Sequence, residues 1–143
     1  MSDSVAPAIL DEDQAAMRLR DYDILPTQQR VQIARVLLTG DQHLSADQVL
    51  DLVKASGCRV SKATVYNTLN LFSERGLVKE VMVDPVRKFY DSTTHPHHHF
   101  YNVDSGHLSD IPDELVLFQD LPELPEGTER ESIEVLIKVR DRT

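Results

Sequence analysis

One segment restricts the fold more than any other: Ser61 to Gly76 is a helix with both of its ends written into the chain. Ser61 offers a hydroxyl to the unpaired N–H groups of a first turn. Val65, Leu69 and Phe72 stand at i, i+4 and i+7 on one apolar face, and Gly76 follows Arg75 where a helix can pass into left-handed backbone. The opposite face holds Tyr66, Asn67 and Asn70, with Lys62 in the first turn. Such a helix must bury one side against a core and present amides, a phenol and an ammonium on the other.

The neighbouring segments say what it packs against. A helix is expected from Gln14 to Arg20, ending before Asp21-Tyr22-Asp23. Pro26 and Thr27 introduce a second, in which Val31, Ala34, Val36, Leu37 and Leu38 recur with helical spacing up to Gly40. Ser45 caps a third with the apolar stripe Val49, Leu52 and Val53, stopped by Ser56-Gly57. After Gly76 the period changes. Leu77 to Val83 is β-branched-rich and broken by Lys79 and Glu80, Asp84-Pro85 turns, and Val86 to Asp91 returns as a second strand. Three helices followed by a two-stranded hairpin form the winged-helix pattern. Its last helix would present the polar face to a major groove, with Arg87 and Lys88 on the wing meeting phosphates.

The net charge of −9 speaks against nucleic acid until it is divided along the chain. Residues 1–17 carry four acids and no Lys or Arg, residues 18–90 eleven bases against eight acids, and residues 91–143 four bases against twelve acids. The middle segment alone is basic, as a DNA-contacting module on an acidic body would be.

With 143 residues the chain is long enough for two small domains, the second too small to be comfortable without self-association. Residues 1–13 lack periodicity and read as a flexible N-terminus. Beyond Asp91, His95-Pro96-His97-His98-His99 leads into Phe100 to Val103, the Asp104-Ser105-Gly106 turn, and His107 to Ile111, which is a second hairpin. If Asp104-Ser105 closes it with two residues, Asp110 lies opposite His99, and a three-residue loop would shift that pairing. Pro112, Pro122 and Pro125 leave room only for a short helix near Glu114 to Gln119. Ser132 to Arg140 is a strand with Ile133, Val135, Ile137 and Val139 on one face. The class is α+β.

No run approaches the ~18 apolar residues of a membrane helix, and the N-terminus has no signal-peptide features, so a cytoplasmic protein without a membrane partner is expected. The one cysteine, Cys58, excludes an internal disulfide and any four-cysteine zinc within one chain. It reads as a small, part-buried residue beside a turn.

Ser61-Lys62-Ala63-Thr64-Val65-Tyr66-Asn67-Thr68-Leu69, then Gly76-Leu77-Val78 and the histidine cluster, preceded by Pro26-Thr27-Gln28-Gln29-Arg30, resemble the ferric uptake regulator (Fur) family over about residues 18–111. The histidine run and the missing cysteines are similar to its Irr branch, the iron response regulators of alphaproteobacteria, which respond to haem. The resemblance implies a winged-helix DNA-binding domain over 14–91 and a small α/β dimerisation and sensing domain over 92–143. It implies a homodimer on double-stranded, palindromic operator DNA, with contacts from Arg30, Lys62, Thr64, Tyr66, Asn67, Arg87 and Lys88. By position it implies a regulatory metal site at His43, Asp91, His97, His99 and Asp110, with occupancy favouring one inter-domain angle. His97 and His99, two apart on a strand, share a face.

Where the family's dimerisation domain carries a Cys-x-x-Cys for structural zinc, this chain has Asn102 and Ser105, so that zinc is not expected. Imidazole and carboxylate donors without thiolate suit Fe, Mn or Zn. Haem is the other candidate cofactor, held through His95, His97, His98 or His99. His98 points away from His97 and His99 and is an auxiliary or haem ligand or simply exposed, while His107 reads as solvated. Two rivals stand beside the iron or haem regulator. One is a zinc- or manganese-sensing repressor of the same fold. The other is a metal-dependent hydrolase, disfavoured because no nucleophile motif accompanies the ligands; no enzyme activity is expected.

Overall fold

Each α-helix among the described residues opens on a side chain that accepts from its first turn. Asp11 and Gln14 close a capping box on α1 (Glu12–Asp21), Thr27 caps α2 (Gln28–Leu37), Ser45 and Gln48 close a second box on α3 (Ala46–Ala55), and Ser61 caps α4 (Lys62–Glu74). The structure, a computed structural model, describes residues 10–39, 43–94 and 97–143. Contacts divide it into two units, Met1–Thr94 and His95–Thr143. Of the terminus expected to be flexible, residues 1–9 lie outside the described residues, as do Gly40 and the haem candidate His95. Residues 11–13 belong instead to the cap and first turn of α1, because Asp11 has the donor it needs in Gln14 N–H at 2.7 Å.

In the first unit the helices share one core. Leu19 of α1, Ile33 and Leu37 of α2, Val49 and Val53 of α3, and Val65, Leu69 and Phe72 of α4 are all fully buried. The stripe expected on α3 needs a correction. Leu50 is 9% exposed and Leu52 is 44% exposed, because Ala46, Val49, Leu50 and Val53 form a continuous arc and Leu52 lies roughly 100° round the helix from its centre. Gly76 has φ +82°, and Leu77 N–H reaches back to Phe72 O, ending α4 and turning the chain into the wing.

The wing strands β2 (Lys79–Met82) and β3 (Lys88–Asp91) pair antiparallel, as expected. A further strand, β1 (His43–Leu44), was not expected and pairs with β3 on its other side, giving the order β1-β3-β2. Two residues carry no periodicity, so β1 becomes visible only through its partner.

In the second unit β4 (His98–Asn102) and β5 (Leu108–Ile111) form the expected hairpin, and β6 (Leu136–Val139) lies parallel to β4 on the other side. Residues 103–106 close the hairpin, with Gly106 at φ +74°. Four closing residues centred on Asp104-Ser105 preserve the register that two would give, so His99 is opposite Asp110. The last strand is shorter than Ser132 to Arg140 because its ladder ends with β4: His99 N–H reaches Val135 O and Val103 N–H reaches Val139 O. The short helix is a single 3-10 turn, Asp113–Leu115, directly after Pro112. No helix among the described residues is long and apolar enough to cross a membrane.

Phe72 tests this core: Phe72→Ala is expected to cost about 3–5 kcal/mol of unfolding free energy in urea denaturation. A loss below about 1 kcal/mol would mean that α4 is not anchored as described.

Candidate metal and nucleic-acid sites

The β1–β3 register sets His43 opposite Asp91, and His43 Nε2 lies 3.1 Å from Asp91 Oδ2. The Asp91 side chain is 0% exposed and that of His43 10%. Withdrawing a carboxylate from water is costly unless both oxygens are bonded. Here the second oxygen accepts Thr93 N–H at 2.9 Å, so a strand end and its following turn hold one carboxylate.

The second unit builds a triad on one face of the β4–β5 hairpin. His97 Nε2 and His99 Nε2 lie 2.8 and 3.5 Å from the same oxygen, Asp110 Oδ1. Their ring centroids are 4.3 Å apart. Both imidazoles are buried, whereas the Asp110 side chain is 42% exposed. His97, just before β4, and His99 within it lie together, and the hairpin register brings Asp110 across to them.

These donors fit a divalent ion. One ligand atom from each of His97, His99 and Asp110 lies within 4.8 Å of the others, and atoms around a single ion with ~2.1 Å bonds stand about 3–4 Å apart. The donor set is imidazole and carboxylate, which suits Fe, Mn or Zn. His43 and Asp91 in the first unit offer the same kinds of donor.

His98 is not exposed. It is 7% exposed, its Nδ1 accepts Val135 N–H at 2.8 Å, and its ring meets Phe118 edge-on at 5.9 Å. It ties the chain entering β6 to β4. Asn102 and Ser105 hold the hairpin turn with hydrogen bonds: Asn102 Oδ1 accepts from Asp104 N and Ser105 N, and Ser105 Oγ accepts from His107 N. Asn102 Nδ2 also donates to Asp141 Oδ1 at 2.9 Å. His107 is exposed. Cys58 is half-buried against the helical core.

The polar face of α4 carries the other candidates. Arg30, Thr64 and Asn67, with Thr27, line a cleft of about 260 Å³ where α2 begins beside α4. Arg30 also closes the start of α2 by donating Nη1–H to Leu25 O at 3.0 Å. Lys62 and Tyr66 are exposed, and both reach Asp47 on α3. On the wing, Arg87 lies 3.9 Å from Asp84 and Lys88 3.3 Å from Glu80. Burial works against the Lys88 ammonium, yet Tyr90 and Glu80 beside it outweigh that and hold its pKa above the usual lysine value. Burial pushes the Tyr90 phenol up. Asp47 escapes a reading of the sequence, since nothing in its spacing ties one helix's first turn to another helix's polar face.

Comparison with known proteins agrees with this architecture. The model of the ferric uptake regulator family matches residues 23–136. The peroxide-responsive repressor PerR of Staphylococcus aureus is 32% identical over 102 residues, covering 71% of this chain and 68% of that protein. Among solved structures, the ferric uptake regulator of Pseudomonas aeruginosa with manganese superposes with TM-score 0.67 at 26% identity, covering 90% of this chain and 98% of that one. The Vibrio cholerae ferric uptake regulator gives TM-score 0.72 at 22% identity, covering 88% and 98%, a likeness of fold. The chain belongs to the ferric uptake regulator family, whose members are transcription regulators and not enzymes.

Proposed function

We propose that this chain is a cytoplasmic, homodimeric regulator of iron homeostasis that binds a palindromic operator under control of a divalent metal, with His43, Asp91, His97, His99 and Asp110 as its ligands. The observation that carries this reading is the convergence of two buried imidazoles on one carboxylate oxygen in the second unit. Such a cluster has no need to exist for packing alone, and a bound cation would relieve the crowding of its donors. The manganese in the related Pseudomonas aeruginosa structure supports the same class of ligand. The metal, when bound, neutralises carboxylate charge and fixes its ligands; the chain's own part is to hold imidazoles and carboxylates out of water in ready register.

DNA recognition is assigned to residues 14–91, within the first unit, through Arg30, Lys62, Thr64, Tyr66, Asn67, Arg87 and Lys88. Support comes from the exposure of the α4 polar face and the concentration of basic residues between 18 and 90. Dimerisation is assigned to residues 92–143. There Phe100, Ile137 and Val139 are 38%, 40% and 38% exposed on one face of the β4–β6 pair, an apolar surface that a second copy would cover.

Haem at His97 or His99 is the second reading, favoured by the histidine run and in keeping with an iron-response regulator. The burial of His97, His98 and His99 favours the bare metal, because a macrocycle needs an open approach to an imidazole. Metal analysis and the optical spectrum of untagged protein test the choice. Stoichiometric metal without a Soret band is expected, and a Soret band at one haem per chain would overturn it.

His99→Ala is expected to weaken metal binding at least about tenfold in a competition titration. Chelation should change affinity for a duplex selected from a random pool by roughly 5- to 150-fold, the usual range of coupling between sites; equal affinities with and without metal would refute metal control. Ile137→Asp is expected to convert a dimer to monomer in sedimentation velocity, and an unchanged dimer would move the interface elsewhere.

A further inference from the structure

Three of the basic residues assigned to DNA already carry a carboxylate: Lys62 with Asp47, Arg87 with Asp84, Lys88 with Glu80. The first pair differs from the other two. Asp84 and Glu80 sit on the same hairpin as their cations, whereas Asp47 belongs to the first turn of α3 and reaches across to α4. There one oxygen, Asp47 Oδ1, stands 3.6 Å from Lys62 Nζ and accepts from Tyr66 Oη–H at 3.4 Å. Lys62 Nζ in turn lies 5.6 Å from the centre of the Tyr66 ring. An anionic oxygen that takes an ammonium and a phenol together is doing what a phosphate oxygen would do to the same two groups.

We propose that Asp47 is an internal competitor of DNA phosphate, a residue that sets how strongly the recognition face binds DNA irrespective of sequence. This rests on the DNA-binding reading above. All three groups are exposed, so the pair is weak and readily exchanged. That weakness suits the role. A random phosphate meets a lysine whose charge is locally cancelled, and only a duplex that also engages the base-reading side chains gains enough to displace the carboxylate. With Asp47 in place, the chain's modest basic surplus between residues 18 and 90 is reduced further where α4 meets DNA.

The test uses the full-length protein and a fluorescein-labelled random-sequence duplex, read by anisotropy over a range of salt. Asp47→Asn removes the charge and keeps an acceptor for Tyr66. It is expected to tighten binding about fivefold near 0.1 M salt and to steepen the log–log salt slope by roughly 0.9, the signature of one more phosphate contact. Lys62→Gln is expected to weaken binding, and Asp47→Asn added to it should change nothing further. An unchanged affinity in Asp47→Asn overturns the proposal. So does an equal gain with and without Lys62, since that would mark plain charge reduction. Asp47 also lies in the first turn of α3, so a thermal melt accompanies each variant; Lys62→Asp, which leaves α3 intact, should abolish the effect of Asp47→Asn as well. If the unmodified protein binds no duplex at all, the DNA-binding reading falls, and this inference with it.

Discussion

Asp91 is a carboxylate with no access to water, and the edge of the three-stranded sheet in the first unit is built around it. It ends β3, it faces His43 across the sheet, and its other oxygen closes the turn through Thr93. Losing a partner of a buried carboxylate costs more than the net value of the bond when made. The pairing of β1, only two residues long, is therefore as much a consequence of the His43–Asp91 contact as its cause. Tyr90, one residue earlier, faces the helical core, so β3 joins the titratable edge to the apolar interior through alternation alone.

The second unit applies the same device to a hairpin. Alternation puts His97 and His99 on one side of β4 and His98 on the other. The first two share Asp110; the third becomes an acceptor for the β6 backbone and a ring partner for Phe118. Three adjacent histidines are thus divided by parity between Asp110 on one side and the β6 backbone on the other. Asn102 and Ser105 stabilise the turn with amide and hydroxyl groups, which leaves the hairpin independent of thiolate chemistry.

Charge follows a related logic. On α4 and the wing, Lys62, Arg87 and Lys88 each have a nearby acid, in Asp47, Asp84 and Glu80. Sequence-independent affinity for a duplex scales with the number of phosphates neutralised, so such pairing bears directly on the DNA-binding proposal.

Much of this was determined by the residues in order. Caps at Thr27, Ser45 and Ser61, the Val65-Leu69-Phe72 stripe, Gly76, and the β2–β3 and β4–β5 hairpins are local signals, because capping and period act over a few residues and need no distant partner. The pairing of His99 with Asp110 was one of two registers the turn allowed, and the loop length in the folded hairpin chose it. Tertiary structure alone decided the rest. Leu50 rather than Leu52 entered the core because the core's direction is set by α2 and α4, not by α3. β1 exists only because β3 is there to receive it. β6 stops where β4 stops, His98 is buried because Val135 brings it an N–H, and Asp47 meets Lys62 and Tyr66 because α3 packs on α4. Each of those depends on groups far apart in the chain meeting in space, and no local period encodes such a meeting.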